Sequence, residues 1–284
     1  MWTTLIDTAS LTNELGNPTV AIVDCRFDLR DEEWGGRAYA DGHIPGAVYA
    51  SLDRDLSGKK NGRNGRHPLP DVGTLAETFG RLGIDPTVQV VAYDQDNAMY
   101  ASRLWWLLRW LGHDNAAVLD GGLAKWRAEG RPIRTGIESR TPRQFVPSVR
   151  VDWAVDVDAV RALVGSPERV LVDARAPERY RGEVETLDKV AGHIPGAVNH
   201  FFKWNLNDDG AFLSPEEIRN RVRASIGSTS PDRWICYCGS GVTACHNLLA
   251  FEHAGLHGSR LYAGSWSEWT ADEERPIESL KSEV

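Results

Sequence analysis

Only four cysteines and two methionines occur in 284 residues, and long apolar runs are missing. Cys25 stands alone, whereas Cys236, Cys238 and Cys245 fall within ten residues. A disulfide framework spreads its cysteines in pairs, so this crowding points to a reactive or metal site in a reducing compartment. The most apolar stretch, Leu104 to Leu111, is broken by Arg109 and falls far short of the roughly 20 residues a bilayer requires. Positive charge is also scarce: 32 Lys and Arg stand against 40 Asp and Glu, a net charge of −8. That balance disfavours a nucleic-acid or anionic-membrane partner. The start, Met1-Trp-Thr-Thr-Leu-Ile-Asp7, brings an acid early and no base before an apolar core, unlike a secretory leader. Together these deficits predict a cytoplasmic protein with neither nucleic acid nor membrane as partner.

The chain contains itself twice. Asp41-Gly-His-Ile-Pro-Gly-Ala-Val48 returns as Ala191-Gly-His-Ile-Pro-Gly-Ala-Val198, a shift of 150 at the histidine. Val23-Asp-Cys-Arg26 is answered by Val172-Asp-Ala-Arg175, and Val91-Ala-Tyr-Asp94 by Ile235-Cys-Tyr-Cys238. Gly121 and Trp126 match Gly264 and Trp269, and Arg131-Pro-Ile133 matches Arg275-Pro-Ile277. Ordered blocks with drifting offsets mean duplication followed by loop changes. In each copy a short apolar run ending in Asp (Val20–Asp24; Val170–Asp173) reads as a buried strand. The His-Ile-Pro-Gly-Ala-Val block reads as a turn into a second strand. A third strand (Val88–Tyr93; Trp234–Tyr237) precedes an apolar helix (Tyr100–Leu111; Val242–His253, with Gly255 just past its end). This alternation predicts an α/β fold of two tandem domains, each a mostly parallel central sheet flanked by helices. Residues 1–139 form the first domain and 149–284 the second. Between them 140–148, with Pro142 and Pro147 and few apolar residues, reads as a linker.

The copies disagree at one telling place. After the third strand, copy one has Asp94-Gln-Asp-Asn-Ala-Met99 and copy two has Cys238-Gly-Ser-Gly-Val-Thr243. Glycines at a strand-to-helix junction let backbone N–H groups turn inward, and the helix N-terminus adds positive potential, so such a loop cradles an anion. The same field favours the thiolate of a cysteine, its nucleophilic form, and the ligand crevice of a parallel sheet lies beyond the carboxyl ends of its strands. Cys238 is therefore the candidate nucleophile, with Gly239, Ser240, Gly241, Val242 and Thr243 as its binding loop. Asp94 offers no thiol to attack with, which makes the first domain non-catalytic. Cys236, two residues earlier within the strand, and Cys245, inside the helix, read as structural. Cys236-x-Cys238 lacks a second ligand pair, so neither a metal nor another cofactor is predicted.

On the Cys238-Gly-Ser-Gly-Val-Thr-Ala244 loop, the two Gly-His-Ile-Pro-Gly-Ala blocks and Asp94, nearly the whole chain resembles the tandem-domain rhodanese family of thiosulfate and 3-mercaptopyruvate sulfurtransferases. The resemblance implies that Cys238 takes a sulfane sulfur from a small anionic donor, holds it as a persulfide and passes it to cyanide or a thiol. It also implies a donor-binding arginine, Arg179, in Glu178-Arg-Tyr-Arg-Gly182. In mercaptopyruvate-type relatives a first-domain histidine and an upstream acid approach the active site, which nominates His43 and Asp31, although His193 occupies the matching turn of copy two. Gly239-Ser-Gly241 leans toward 3-mercaptopyruvate, since thiosulfate-preferring relatives place basic residues there. Two other readings compete: a catalytically inactive binding or regulatory module, set against the retained Cys238, and a cysteine phosphatase, set against Ala244 where that chemistry places an arginine.

Overall fold

The computed structural model describes residues 1–280. Five strands form the first sheet: β1 (Leu5–Ile6), β2 (Val20–Asp24), β3 (Val48–Tyr49), β4 (Gln89–Tyr93) and β5 (Ala116–Leu119). Five more form the second: β6 (Ala154–Val155), β7 (Val170–Asp173), β8 (Val198–Asn199), β9 (Trp234–Tyr237) and β10 (Arg260–Tyr262). The orders are β1-β5-β4-β2-β3 and β6-β10-β9-β7-β8, with every pairing parallel. Central strands of such sheets are covered on both faces and must be apolar throughout. Every residue of β2, β4, β5 and β9 is accordingly buried.

The repeated blocks tie one part of each domain to another. The Asp that ends β2 or β7 is a buried carboxylate paired with the arginine two residues on: Asp24–Arg26 at 2.7 Å and Asp173–Arg175 at 2.6 Å. Each arginine also donates to the carbonyl before the repeated histidine, Gly42 at 2.8 Å or Gly192 at 2.7 Å. The Trp126 and Trp269 indole N–H groups donate to Pro132 and Pro276 carbonyls, both at 2.9 Å, so the Arg-Pro-Ile blocks close the ends of the domains. The helices follow from their caps. Asp71 caps Val72–Arg81, Ser214 and Glu217 form a capping box on Pro215–Ile226, and Gly255, at φ 76°, ends Thr243–His253.

The chain divides into two compact units, but not at one point. The first unit comprises Met1–Gly58, Pro70–Arg150 and Asp208–Phe212; the second comprises Lys59–Leu69, Val151–Asn207 and the chain from Leu213 onward. Residues 140–148 are no open tether. Phe145 is buried against Phe79, 5.1 Å between ring centres, and the Arg143 and Ser148 amides donate to Gly80 and Leu111 carbonyls of the first unit. More consequential is 59–69, which lies in the first copy by sequence and in the second unit by structure.

One buried group makes the second unit's stability depend on pH. His200 is fully buried; its Nε2 faces Asn205 Oδ1 at 3.0 Å and its Nδ1 faces the Ser225 hydroxyl at 2.6 Å. Burial pushes its pKa down to about 4. An unfolded chain binds that proton near pH 6.5, so the neutral ring's contribution is complete above about pH 6.5 and drains away as pH falls toward 4. Urea unfolding at pH 7 and pH 4.5 should show His200→Gln losing less stability on acidification than wild type, by about 2 kcal/mol. Parallel profiles would exclude His200 as the titrating group.

Candidate functional site

Cys238 follows β9 directly and is 2 % exposed. The Gly241 N–H donates to its Sγ at 3.2 Å, and the helix Thr243–His253 begins just beyond, its N-terminus adding positive potential. The loop is pinned from behind. The Cys238 amide donates to Ser265 Oγ at 3.1 Å, while the Trp266 and Ser267 amides donate to the carbonyls of Cys238 and Gly239, both at 2.9 Å. Ser265 adopts φ 56°, a left-handed conformation rare outside glycine; its hydroxyl meets both the Cys238 amide and the Tyr262 carbonyl. Gly241 must be glycine twice over: φ is 78°, and a Cβ would stand 2.3 Å from the Ala263 carbonyl oxygen.

Copy one builds the same cradle and fills it from within. The Asp94 carboxylate accepts from the amides of Asp96 (3.3 Å), Ala98 (3.0 Å), Tyr100 (2.7 Å) and Ala101 (3.1 Å). Burial pushes its pKa up to about 6 despite these donors. The carboxylate holds the position that the sulfur occupies in copy two. In copy one, then, the loop amides converge on a carboxylate.

The remaining cysteines are core. Cys25, Cys236 and Cys245 are all buried, and burial pushes the Cys25 and Cys236 thiols well up. The Cys245 thiol donates to the Gly241 carbonyl at 3.2 Å, bracing the loop from the helix. Among the described residues, no group of three His, Cys, Asp or Glu could hold a metal ion, and no helix is long and apolar enough to cross a membrane.

Arg179 lies beside the loop. A Cβ on Gly239 would lie 3.6 and 3.7 Å from its two terminal nitrogens. It forks onto Glu185 at 2.7 and 2.9 Å and reaches Asp188 at 3.2 Å. Burial acts against the Glu185 carboxylate, but the Leu187 amide and Arg179 hold its pKa below the usual value. Arg181, by contrast, pairs with Glu183 in solvent.

Two further residues reach the loop that sequence reasoning did not single out, both from 59–69. The same Gly239 Cβ would stand 2.8 Å from an Arg66 terminal nitrogen. His67 is buried with Nδ1 2.7 Å from the Ser240 hydroxyl. One signal was available: between the histidine and third-strand blocks the repeat offset falls from 150 to 144, six extra residues in copy one, and the basic run Lys59 to His67 lies there.

His43 and Asp31 belong to the first unit, whereas the Cys238 loop belongs to the second. His43 is fully buried, stacked on Tyr39, with Nδ1 2.8 Å from the Tyr39 carbonyl and Nε2 3.2 Å from Glu138. His193 repeats this on Tyr180 and Glu278. Asp31 is exposed and paired with Arg37 at 2.5 Å.

The family profile described as Rhodanese-like domain matches residues 7–129 and again 156–272. A Pseudomonas aeruginosa protein named a probable 3-mercaptopyruvate sulfurtransferase is 46 % identical over 275 residues, covering 96 % of this chain and 97 % of the relative. A Mycobacterium tuberculosis protein with the provisional name thiosulfate sulfurtransferase is 42 % identical over 270 residues, covering 93 % and 92 %. The solved 3-mercaptopyruvate sulfurtransferase of Leishmania major superposes with a TM-score of 0.84 at 30 % identity, over 96 % of this chain and 75 % of that one.

Proposed function

The chain belongs to the rhodanese family of sulfurtransferases, and from that premise we propose that Cys238 takes a sulfur from 3-mercaptopyruvate or thiosulfate and yields it to a thiol or cyanide. The observation that carries this reading is the Gly241 N–H on Cys238 Sγ, in a cradle that Asp94 occupies in copy one. Residues 149–284 hold the catalytic loop, and the first domain is non-catalytic. Gly239, Ser240, Gly241, Val242 and Thr243 form the cradle, and Arg179 binds the donor's anionic group. The compartment we infer is the cytoplasm, where thiols stay reduced.

The step balances for either donor. The Cys238 thiolate attacks the outer sulfur of thiosulfate, the S–S bond breaks and sulfite leaves with the electron pair, giving the Cys238 persulfide anion. With 3-mercaptopyruvate the attacked sulfur is the mercaptan's. Its C–S bond breaks and the electrons pass to the keto oxygen as pyruvate enolate, which takes up a proton at carbon. The acceptor then removes the outer sulfur and returns the thiolate. An enolate oxygen needs a donor as charge develops; the Ser240 hydroxyl is suited to that work, and His67 at 2.7 Å orients it. His43 and Asp31 receive no part: the first serves its turn as His193 does, and the second is tied to Arg37.

Intact mass after exposure to either donor should rise by one sulfur, about 32 Da, and return on adding cyanide or a thiol. No gain with either donor would refute the carrier role. Ser240→Ala and His67→Gln should each lower kcat/KM for 3-mercaptopyruvate about tenfold or more, one lost hydrogen bond in the transition state, and harm thiosulfate less because it has no keto oxygen. Equal losses with both donors would remove the enolate role.

A further inference from the structure

A cavity of about 320 Å³ lies next to the sulfur-carrying loop without including any residue of it. All its lining residues belong to the second unit. Two of its walls come from places where the copies diverge. Lys60 to Arg66 belong to the stretch in which copy one carries six extra residues. Leu187 to Lys189 belong to 183–191, which is irregular where the matched part of copy one is the helix Trp34–Asp41. Ser267 also lines the cavity, and its amide donates to the Gly239 carbonyl at 2.9 Å. With Arg66 likewise against Gly239, the cavity begins one residue from Cys238.

Its charged lining is Lys60, Arg66, Lys189 and Asp188, a formal sum of +2 in a chain of net charge −8. Asp188 is already engaged by Arg66 and, at 3.2 Å, by Arg179. Asp272, Glu273 and Glu274 line the neighbouring cavity together with Arg63 and Arg275. Both lysines are exposed, and Leu187, 47 % exposed, offers an apolar contact beside them. Discharge of the persulfide needs the acceptor as a thiolate, whereas a free thiol ionises near roughly pH 8.5. Cations favour the ionised form and draw in any carboxylate that the thiol carries.

Resting on the reading of Cys238 as sulfur carrier, we propose that this cavity holds the carboxylates of an anionic thiol acceptor through Lys60 and Lys189, so that a dicarboxylate thiol discharges the persulfide faster than a neutral one. The acceptor thiolate attacks the outer sulfur and forms a new S–S bond. The bond to Cys238 breaks, Cys238 leaves as thiolate with the electron pair, and the acceptor departs as a persulfide.

The test loads the full chain with sulfur from thiosulfate, removes the donor and follows discharge by 2-mercaptoethanol, 3-mercaptopropionate and mercaptosuccinate. These probes carry zero, one and two carboxylates, and rates are compared per thiolate. In wild type the rate constant should rise along the series, by about tenfold or more from first to last, and added salt should compress the rise. Lys60→Gln with Lys189→Gln should flatten the series while leaving sulfur loading and discharge by 2-mercaptoethanol near wild type. Lys60→Glu with Lys189→Glu, which takes the lining sum to −2, should invert it. A flat wild-type series, or one that the lysine variants leave unchanged, overturns the proposal. So does a loss confined to loading, which would give the cavity to the donor. Wild-type protein that never gains sulfur sinks the carrier reading itself, whereas loading followed by equal discharge with all three thiols sinks this inference alone.

Discussion

Replacing Cys238 by serine is expected to lower sulfur transfer by at least about a thousandfold from either donor, because a hydroxyl at this position is neither ionised nor able to form a persulfide. The fold should survive: serine is nearly the size of cysteine, and the contacts that pin the loop run through its backbone, from Ser265 Oγ and the Trp266 amide. Cys236→Ser and Cys245→Ser are the controls. Both thiols are buried and packed, so these variants should lose stability and keep turnover when folded. Steady-state assays with both donors, alongside circular dichroism, separate the outcomes. A Cys238→Ser protein turning over at the wild-type rate would end the sulfur-carrier reading. A folded Cys245→Ser as inactive as Cys238→Ser would mean that more than one thiol handles the sulfur.

The second large effect is on stability. Arg175→Met should cost about 3–5 kcal/mol, because it leaves the Asp173 carboxylate buried without its partner. The Asp173 side chain is 0 % and that of Arg175 1 % exposed. The guanidinium makes two bonds to the carboxylate through Nε, at 3.1 Å each, one through its terminal nitrogen, and one to the Gly192 carbonyl at 2.7 Å, while lying 4.7 Å over the Trp266 ring. Methionine fills the stem's volume and returns none of these contacts. The urea midpoint of the second unit should fall accordingly, and Asp173→Asn combined with Arg175→Met should recover part of the loss by removing the stranded charge. A shift below about 1 kcal/mol would show that the carboxylate finds water or another partner.

What the sequence disclosed depended on whether a feature was repeated or local. The strand ends, the histidine turns and the tryptophan blocks appear twice, so duplication itself marked them, and each proves to be a tie between elements. The Cys238 loop was legible because all its parts are consecutive and because Asp94 offered a contrast. Arg179 was legible only through the family motif. Arg66 and His67 lie more than 170 residues from the loop they touch and have no counterpart in copy two, so neither periodicity nor repeat comparison reached them. Glu185 and Asp188 read as ordinary surface acids within Glu183-Val-Glu-Thr-Leu-Asp188; their burial comes from the arginines folded against them. The stretch 140–148 misled for a related reason. Two prolines and little apolar content describe a tether, yet a single phenylalanine at 145, with backbone bonds at 143 and 148, is enough to fasten it to the first unit.

The placement of 59–69 has a consequence for descent. Gene duplication produces two halves that each fold and work without the other, and such a pair could be parted again. Here the reacting half has drawn its second guanidinium and its Ser240 partner from a stretch encoded before its own start. A polypeptide begun at residue 149 would retain the nucleophile and Arg179 and lack Arg66 and His67. Parting the two copies would therefore leave the Cys238 loop without two of the side chains that reach it.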